Sequence, residues 1–178
     1  AGSLTGTTTF TPTDDSIYDA TSNETATVSV DSVSGGDALE NGTQSVTITI
    51  TDNESAPTVT LSRGAAAIDE NSSSTVTITA TLSNATYQDV TVSIGASGGT
   101  EGTDYATISD ITISAGSTTG TSSLDPTDDS VYEDDETVTV TIDGVSGGSA
   151  SESGSQSVSI TITENESAPT VSLSVSAT

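Results

Sequence analysis

Thr137-Val138-Thr139-Val140-Thr141-Ile142 places apolar and hydroxylated side chains at alternate positions. That period of two is the mark of a β-strand with one face in a core and one in water. The same alternation runs through Val46, Ile48 and Ile50, and through Val76, Ile78, Ala80 and Leu82. It returns at Val90, Val92 and Ile94, and at Val158, Ile160 and Ile162. Gly and Ser clusters such as Ser97-Gly98-Gly99 and Ser146-Gly147-Gly148 separate the runs and mark turns. No stretch has helical periodicity. About seven short strands per unit predict an all-β fold, an antiparallel immunoglobulin-like β-sandwich.

Directly before that strand lies Asp128-Asp129-Ser130-Val131-Tyr132-Glu133-Asp134-Asp135-Glu136, an acidic run with no cation in it. The whole chain of 178 residues carries one basic residue, Arg63, against 26 acidic ones, for a net charge of −25. Duplex nucleic acid is disfavoured as a partner, because binding it depends on Lys and Arg neutralising phosphates. Anionic membrane surfaces are disfavoured on the same ground, and no apolar run is long enough to insert into a bilayer. Cys, His, Met and Trp are absent. Zinc sites of the usual kind and Ser-His or Cys-His catalysis therefore fall away. Low hydrophobicity with high charge often signals disorder. Here the strict alternation of Val, Ile and Leu points to a thin folded core that a bound ion would help to stabilise.

The sequence repeats internally. Ala1-Gly2-Ser3 returns as Ala115-Gly116-Ser117, and Pro12-Thr13-Asp14-Asp15-Ser16-Ile17-Tyr18 as Pro126-Thr127-Asp128-Asp129-Ser130-Val131-Tyr132. Val33-Ser34-Gly35-Gly36 returns as Val145-Ser146-Gly147-Gly148, and Asn53-Glu54-Ser55-Ala56-Pro57-Thr58-Val59 as Asn165-Glu166-Ser167-Ala168-Pro169-Thr170-Val171. The first copy is longer within its acidic loop, at Ala20-Thr21-Ser22-Asn23. Tandem units follow: residues 1–55 as the C-terminal half of one repeat, 56–167 as a complete repeat, and 168–178 as the first strand of the next.

Acids in the complete repeat fall in four loops, at Glu70, at Asp104, across 128–136, and at Glu164-Asn165-Glu166. Alternate loops of a sandwich collect at one end, so these carboxylates are expected to converge. Calcium takes six to eight oxygen ligands and favours carboxylates, which makes Ca2+ the implied ion. A solvated acidic turn without metal is the competing reading.

Gly102-Thr103-Asp104-Tyr105, the acidic run 128–136 and the closing Ile162-Thr163-Glu164-Asn165-Glu166 together resemble the Calx-β domain family. That resemblance implies calcium ions at one tip of the sandwich. The ligands it implies are Glu70, Asp104, Asp128, Asp129, Glu133, Glu136, Glu164 and Glu166. In the first copy the corresponding residues are Asp14, Asp15, Asp19, Glu24, Asp52 and Glu54.

All six Asn residues, Asn23, Asn41, Asn53, Asn71, Asn84 and Asn165, sit in Asn-x-Ser/Thr triplets. They are candidate N-glycosylation sites, or a by-product of Ser/Thr-rich loops. The Thr rows suit the solvent face of strands by propensity alone. An enzyme is not expected, since nothing suggests a substrate groove. The expected function is a calcium-binding structural repeat of an extracellular, secreted or cell-surface adhesin, stalk or filament. Its partners would be calcium, neighbouring repeats, or copies of itself in a fibre. The alternatives are a module recognising protein or glycan without structural calcium, and a strand-exchanging filament subunit.

Overall fold

A computed structural model describes residues 4–19 and 24–176. The described residues form strands without helices, and so no helix long and apolar enough to cross a membrane is found among them. The N-terminal segment holds β1 (Ile17–Tyr18), β2 (Glu24–Ser29) and β3 (Ser45–Ile50). Then come β4 (Thr58–Arg63), β5 (Ala67–Asp69), β6 (Val76–Leu82), β7 (Ala85–Thr86) and β8 (Val90–Ser97). The remainder are β9 (Ile111–Ile113), β10 (Thr119–Leu124), β11 (Glu136–Ser146), β12 (Ser151–Glu152) and β13 (Ser157–Thr163).

Two sheets face each other, one ordered β10-β6-β4-β12 and the other β5-β13-β11-β8-β9. Alternation explains the packing. In β6, Val76, Ile78, Ala80 and Leu82 are buried while the Thr residues between them reach outward. Val138, Val140 and Ile142 of β11 and Ile160 and Ile162 of β13 complete the opposite wall. Ile111, Ile113 and Leu124 are fully enclosed between the sheets. The buried apolar residues all lie between Pro57 and Ile162. The apolar core is therefore the property of the repeat spanning 56–167.

The preceding segment has the same local pairing without that core. β2 and β3 pair as Glu24↔Ile50 through Ser29↔Ser45, and β11 and β13 pair as Glu136↔Ile162 through Thr141↔Ser157. Each pair in the second set lies 112 residues after its counterpart. Val28 and Val46 nevertheless remain 41% and 65% exposed, because among the described residues no second sheet lies against them. Even the turn conformations repeat. Gly35 and Gly147 have φ of 88° and 92°, and Asp37 and Ser149 have φ of 56° and 53°. At Gly147 a Cβ would lie 2.1 Å from the carbonyl oxygen of Asp89, so the turn requires glycine on steric grounds as well.

The segment 4–55 is attached to the complete repeat through a short edge contact. β1 pairs in parallel with β7, matching Ile17 to Ala85 and Tyr18 to Thr86.

Candidate metal centre at the sandwich tip

Strand register brings the acids together. β5 runs parallel to β13 with Asp69 opposite Thr163, so the next residues, Glu70 and Glu164, emerge side by side. The Glu70 amide donates to Thr163 O at 3.0 Å and fixes that exit. Glu136 opens β11 opposite Ile162, at the same end. β8 ends there too, with Ser97 opposite Thr139, and the turn that follows carries Asp104. The Thr127 amide donates to Asp104 O at 2.9 Å, which seats the acidic loop against that turn.

Two groups of three carboxylates result. Oxygens of Glu70, Glu164 and Glu166 lie within 4.8 Å of one another, and so do oxygens of Asp104, Glu133 and Glu136. Glu70 and Asp104 are only 7% and 5% exposed. Of the eight residues expected here, six therefore form the two triads. Asp128 and Asp129 stand beside them. The Asp129 amide hydrogen-bonds the Glu70 carboxylate, and both Asp128 and Asp129 add negative charge next to it. The Asp129 side chain is turned to its own loop, where Oδ1 accepts the Val131 amide at 2.6 Å.

The electrostatics record the crowding. Burial pushes the Glu136 carboxyl up to about 7, helped by the charge of Asp104 and by a hydrogen bond with it. Glu70 is raised by burial first and by the charges of Glu164, Asp129 and Asp128 after that. Glu133 is raised by burial and then by Asp104, Asp129 and Glu164. Glu164 goes the other way, to about 2, because backbone amides of Glu166 and Glu133 hold its ionised form. Its Oε1 accepts the amides of Asn165 and Glu166, both at 2.7 Å, and Oε2 accepts the amide of Glu133. Glu166 Oε2 is buried without a donor, and Glu166 is raised by its contact with the Glu164 carboxyl. A proton or a cation has to come between those two groups. The donor set consists of hard oxygens only, which fits calcium. Each triad supplies three carboxylates, able to give up to about six oxygens if each binds in bidentate fashion.

In the first copy, Asp14, Asp15, Asp19, Glu24, Asp52 and Glu54 line one cleft. It has the tip's internal wiring. The Asp19 amide donates to Asp52 Oδ2 at 3.1 Å, as the Glu133 amide does to Glu164. Glu54 is raised chiefly by its hydrogen bond with Asp52, as Glu166 is by Glu164. The chain pattern did not point to Tyr87, which lines this cleft from the next repeat and donates its hydroxyl to Asp15 Oδ2 at 2.8 Å. Its rarity, as one of only five aromatics and set in a polar loop, is the sequence signal that marks it. Asp135 carries no distinguishing signal within the acidic run; its Oδ1 accepts the Glu164 amide at 3.0 Å.

Among the candidate glycosylation sites, Asn41, Asn53, Asn71 and Asn165 are exposed. Asn84 is half-buried and donates its amide to Ser55 O at 2.8 Å. Asn23 lies outside the described residues.

A family model described as the LapA domain matches residues 55–165. No curated protein matches the chain. The match overturns the Calx-β resemblance. That resemblance rested on acids in loops that share a sandwich pole, and any sandwich gathering carboxylates at one end acquires such loops. The matched span begins and ends within two residues of the complete repeat read from the sequence, 56–167. The chain belongs to the LapA domain family.

Proposed function

From membership of the LapA domain family, we propose that this chain is a calcium-binding structural repeat of an extracellular, cell-surface adhesin, stalk or filament. The family is associated with cell-surface adhesion proteins. The observation that carries the proposal is the meeting of six sequence-distant carboxylates in two triads, one with a buried oxygen that no donor satisfies. The single basic residue, Arg63, does not neutralise them; its Nη1 donates to Ala65 O at 3.1 Å. Like charges held this close and partly buried cost stability unless a proton or cation screens them. Divalent cations at the tip would remove that cost and fix loops from both ends of the repeat.

The two sheet orders, and the repeat of the β2–β3 register in β11–β13, support an array of immunoglobulin-like sandwiches. In such an array the cleft of the first copy lies against the β7 edge of the second, so an ion there would restrain bending between them. The role is mechanical, and no reaction is assigned. Calorimetric titration of the chain with calcium tests the reading. Saturable heat, with a thermal midpoint that rises in calcium and falls back in chelator, is the expected result. No heat and no shift would overturn it.

A further inference from the structure

The edge contact between β1 and β7 has an unfilled counterpart in the complete repeat. In the first copy, Asp15 Oδ1 accepts the Ile17 amide at 2.8 Å, which turns the chain so that Ile17 and Tyr18 pair with Ala85 and Thr86. Asp15 Oδ2 then receives the Tyr87 hydroxyl at 2.8 Å. In the second copy, Asp129 Oδ1 accepts the Val131 amide at 2.6 Å, so the same turn is already made. Val131 and Tyr132, which stand where Ile17 and Tyr18 do, are 58% and 42% exposed and belong to no strand.

We infer that Asp129-Ser130-Val131-Tyr132 is a preformed docking edge for the Ala85-Thr86-Tyr87 edge of another copy of this repeat. The occupant is identified by the contact already present between the two copies in this chain. A two-residue parallel pairing is weak alone and needs the high effective concentration of neighbours on one chain. The partner is therefore the next unit of an array, and the inference rests on the tandem reading given above. Val131 stands in the sequence where Ile17 pairs with Ala85, and Asp129 stands where Asp15 receives the Tyr87 hydroxyl.

The test extends the full chain at its C-terminus with a copy of residues 67–167, in register because Ala168-Pro169-Thr170-Val171 repeats Ala56-Pro57-Thr58-Val59 at an offset of 112. A Ser130→Thr mark in the extension lets mass spectrometry tell the two acidic loops apart. Amide exchange at Val131 and Tyr132 of the first loop is followed in calcium and in chelator. Exchange slowed by about tenfold or more in either condition, and restored by Ala85→Pro in the extension, supports the docking edge. Fast exchange in both, with the core amides of the extension protected, overturns it. A second variant of the same extended chain guards against a misfolded extension. Tyr132→Pro in the first loop should return exchange at Val131 of that loop to the fast rate of the unextended chain. Slowed exchange that survives both Ala85→Pro and Tyr132→Pro rejects the proposal. Neither readout depends on calcium heat, so failure here leaves the metal reading to its own titration.

Discussion

Glu136 and Asp104 bring carboxylate oxygens within 4.8 Å of each other at the tip of the sandwich. Carboxylates held this close are relieved by a proton or by a cation. The pair is reached from strand ends on β8 and β11, so its closeness follows from the sheet register and not from the sequence neighbourhood of either residue. The tip therefore has two ways to relieve its charge, by proton or by cation, and they compete.

The competition sets a pH dependence. Glu136 is raised in the folded state to about 7 from an ordinary 4.5. Its contribution is fully present below 4.5 and is lost as pH climbs through about 7. Glu70, Glu133 and Glu166 are shifted in the same direction. Glu164, lowered to about 2, acts oppositely; its contribution is present above 4.5 and lost as pH falls through about 2. In chelator, the thermal midpoint should fall between pH 5 and 8, and saturating calcium should flatten that fall. Melts followed by circular dichroism at pH 5, 6, 7 and 8 check it. A midpoint that rises with pH in chelator would contradict the charge assignment.

Replacing a triad carboxylate separates its two effects. Glu136→Gln should raise the chelator-state midpoint at pH 7.5, because a neutral amide removes the like charge facing Asp104. The same change should weaken calcium binding by about tenfold or more. Glu166→Gln should act likewise on the other triad. Calorimetry beside thermal melts would expose a variant that loses stability and affinity together, which this account does not allow.

Stability should reside in the complete repeat. Ile78, Ile111 and Ile160 are fully enclosed, and truncating any one of them to Ala should cost about 2–5 kcal/mol. Val46→Ala, in the exposed β2–β3 pair, should change stability by less than about 0.5 kcal/mol. Urea unfolding of the four variants gives the comparison.

Glycine is required by the turn at 147 and not within β11 at 144. Gly147→Ala meets both a φ of 92° and the Asp89 carbonyl oxygen, and should cost roughly 1–3 kcal/mol. Gly144→Ala has open space around it and should stay within about 0.5 kcal/mol of the parent. Equal losses at the two positions in denaturant titrations would show that backbone entropy, and not the turn, decides.

Much of the fold is legible in the sequence. Val138, Val140 and Ile142 gave their strand and its buried face by period two alone, since side chains alternate whatever the sheet does next. The grouping of Glu70, Asp104, Glu133, Glu136, Glu164 and Glu166 at one pole followed from loop parity in a sandwich. Family membership did not follow, because acidic loops record a demand on charge and not a lineage. The sequence pattern does not mark β1, β5, β7, β9 and β12, which are only two or three residues long and defined by their partners, nor β10, whose six residues carry one large apolar side chain, Leu124.

The sequence by itself determined strand positions, core faces, the repeat and the excess of negative charge, because these depend on residue type and local spacing. Only the tertiary structure decided that the carboxylates divide into two triads, that Glu164 is held ionised by three amides, and that Tyr87 reaches back to Asp15. Those outcomes depend on register between distant strands. A shift of one residue would turn Glu70 away from Glu164 and leave the sequence pattern unchanged.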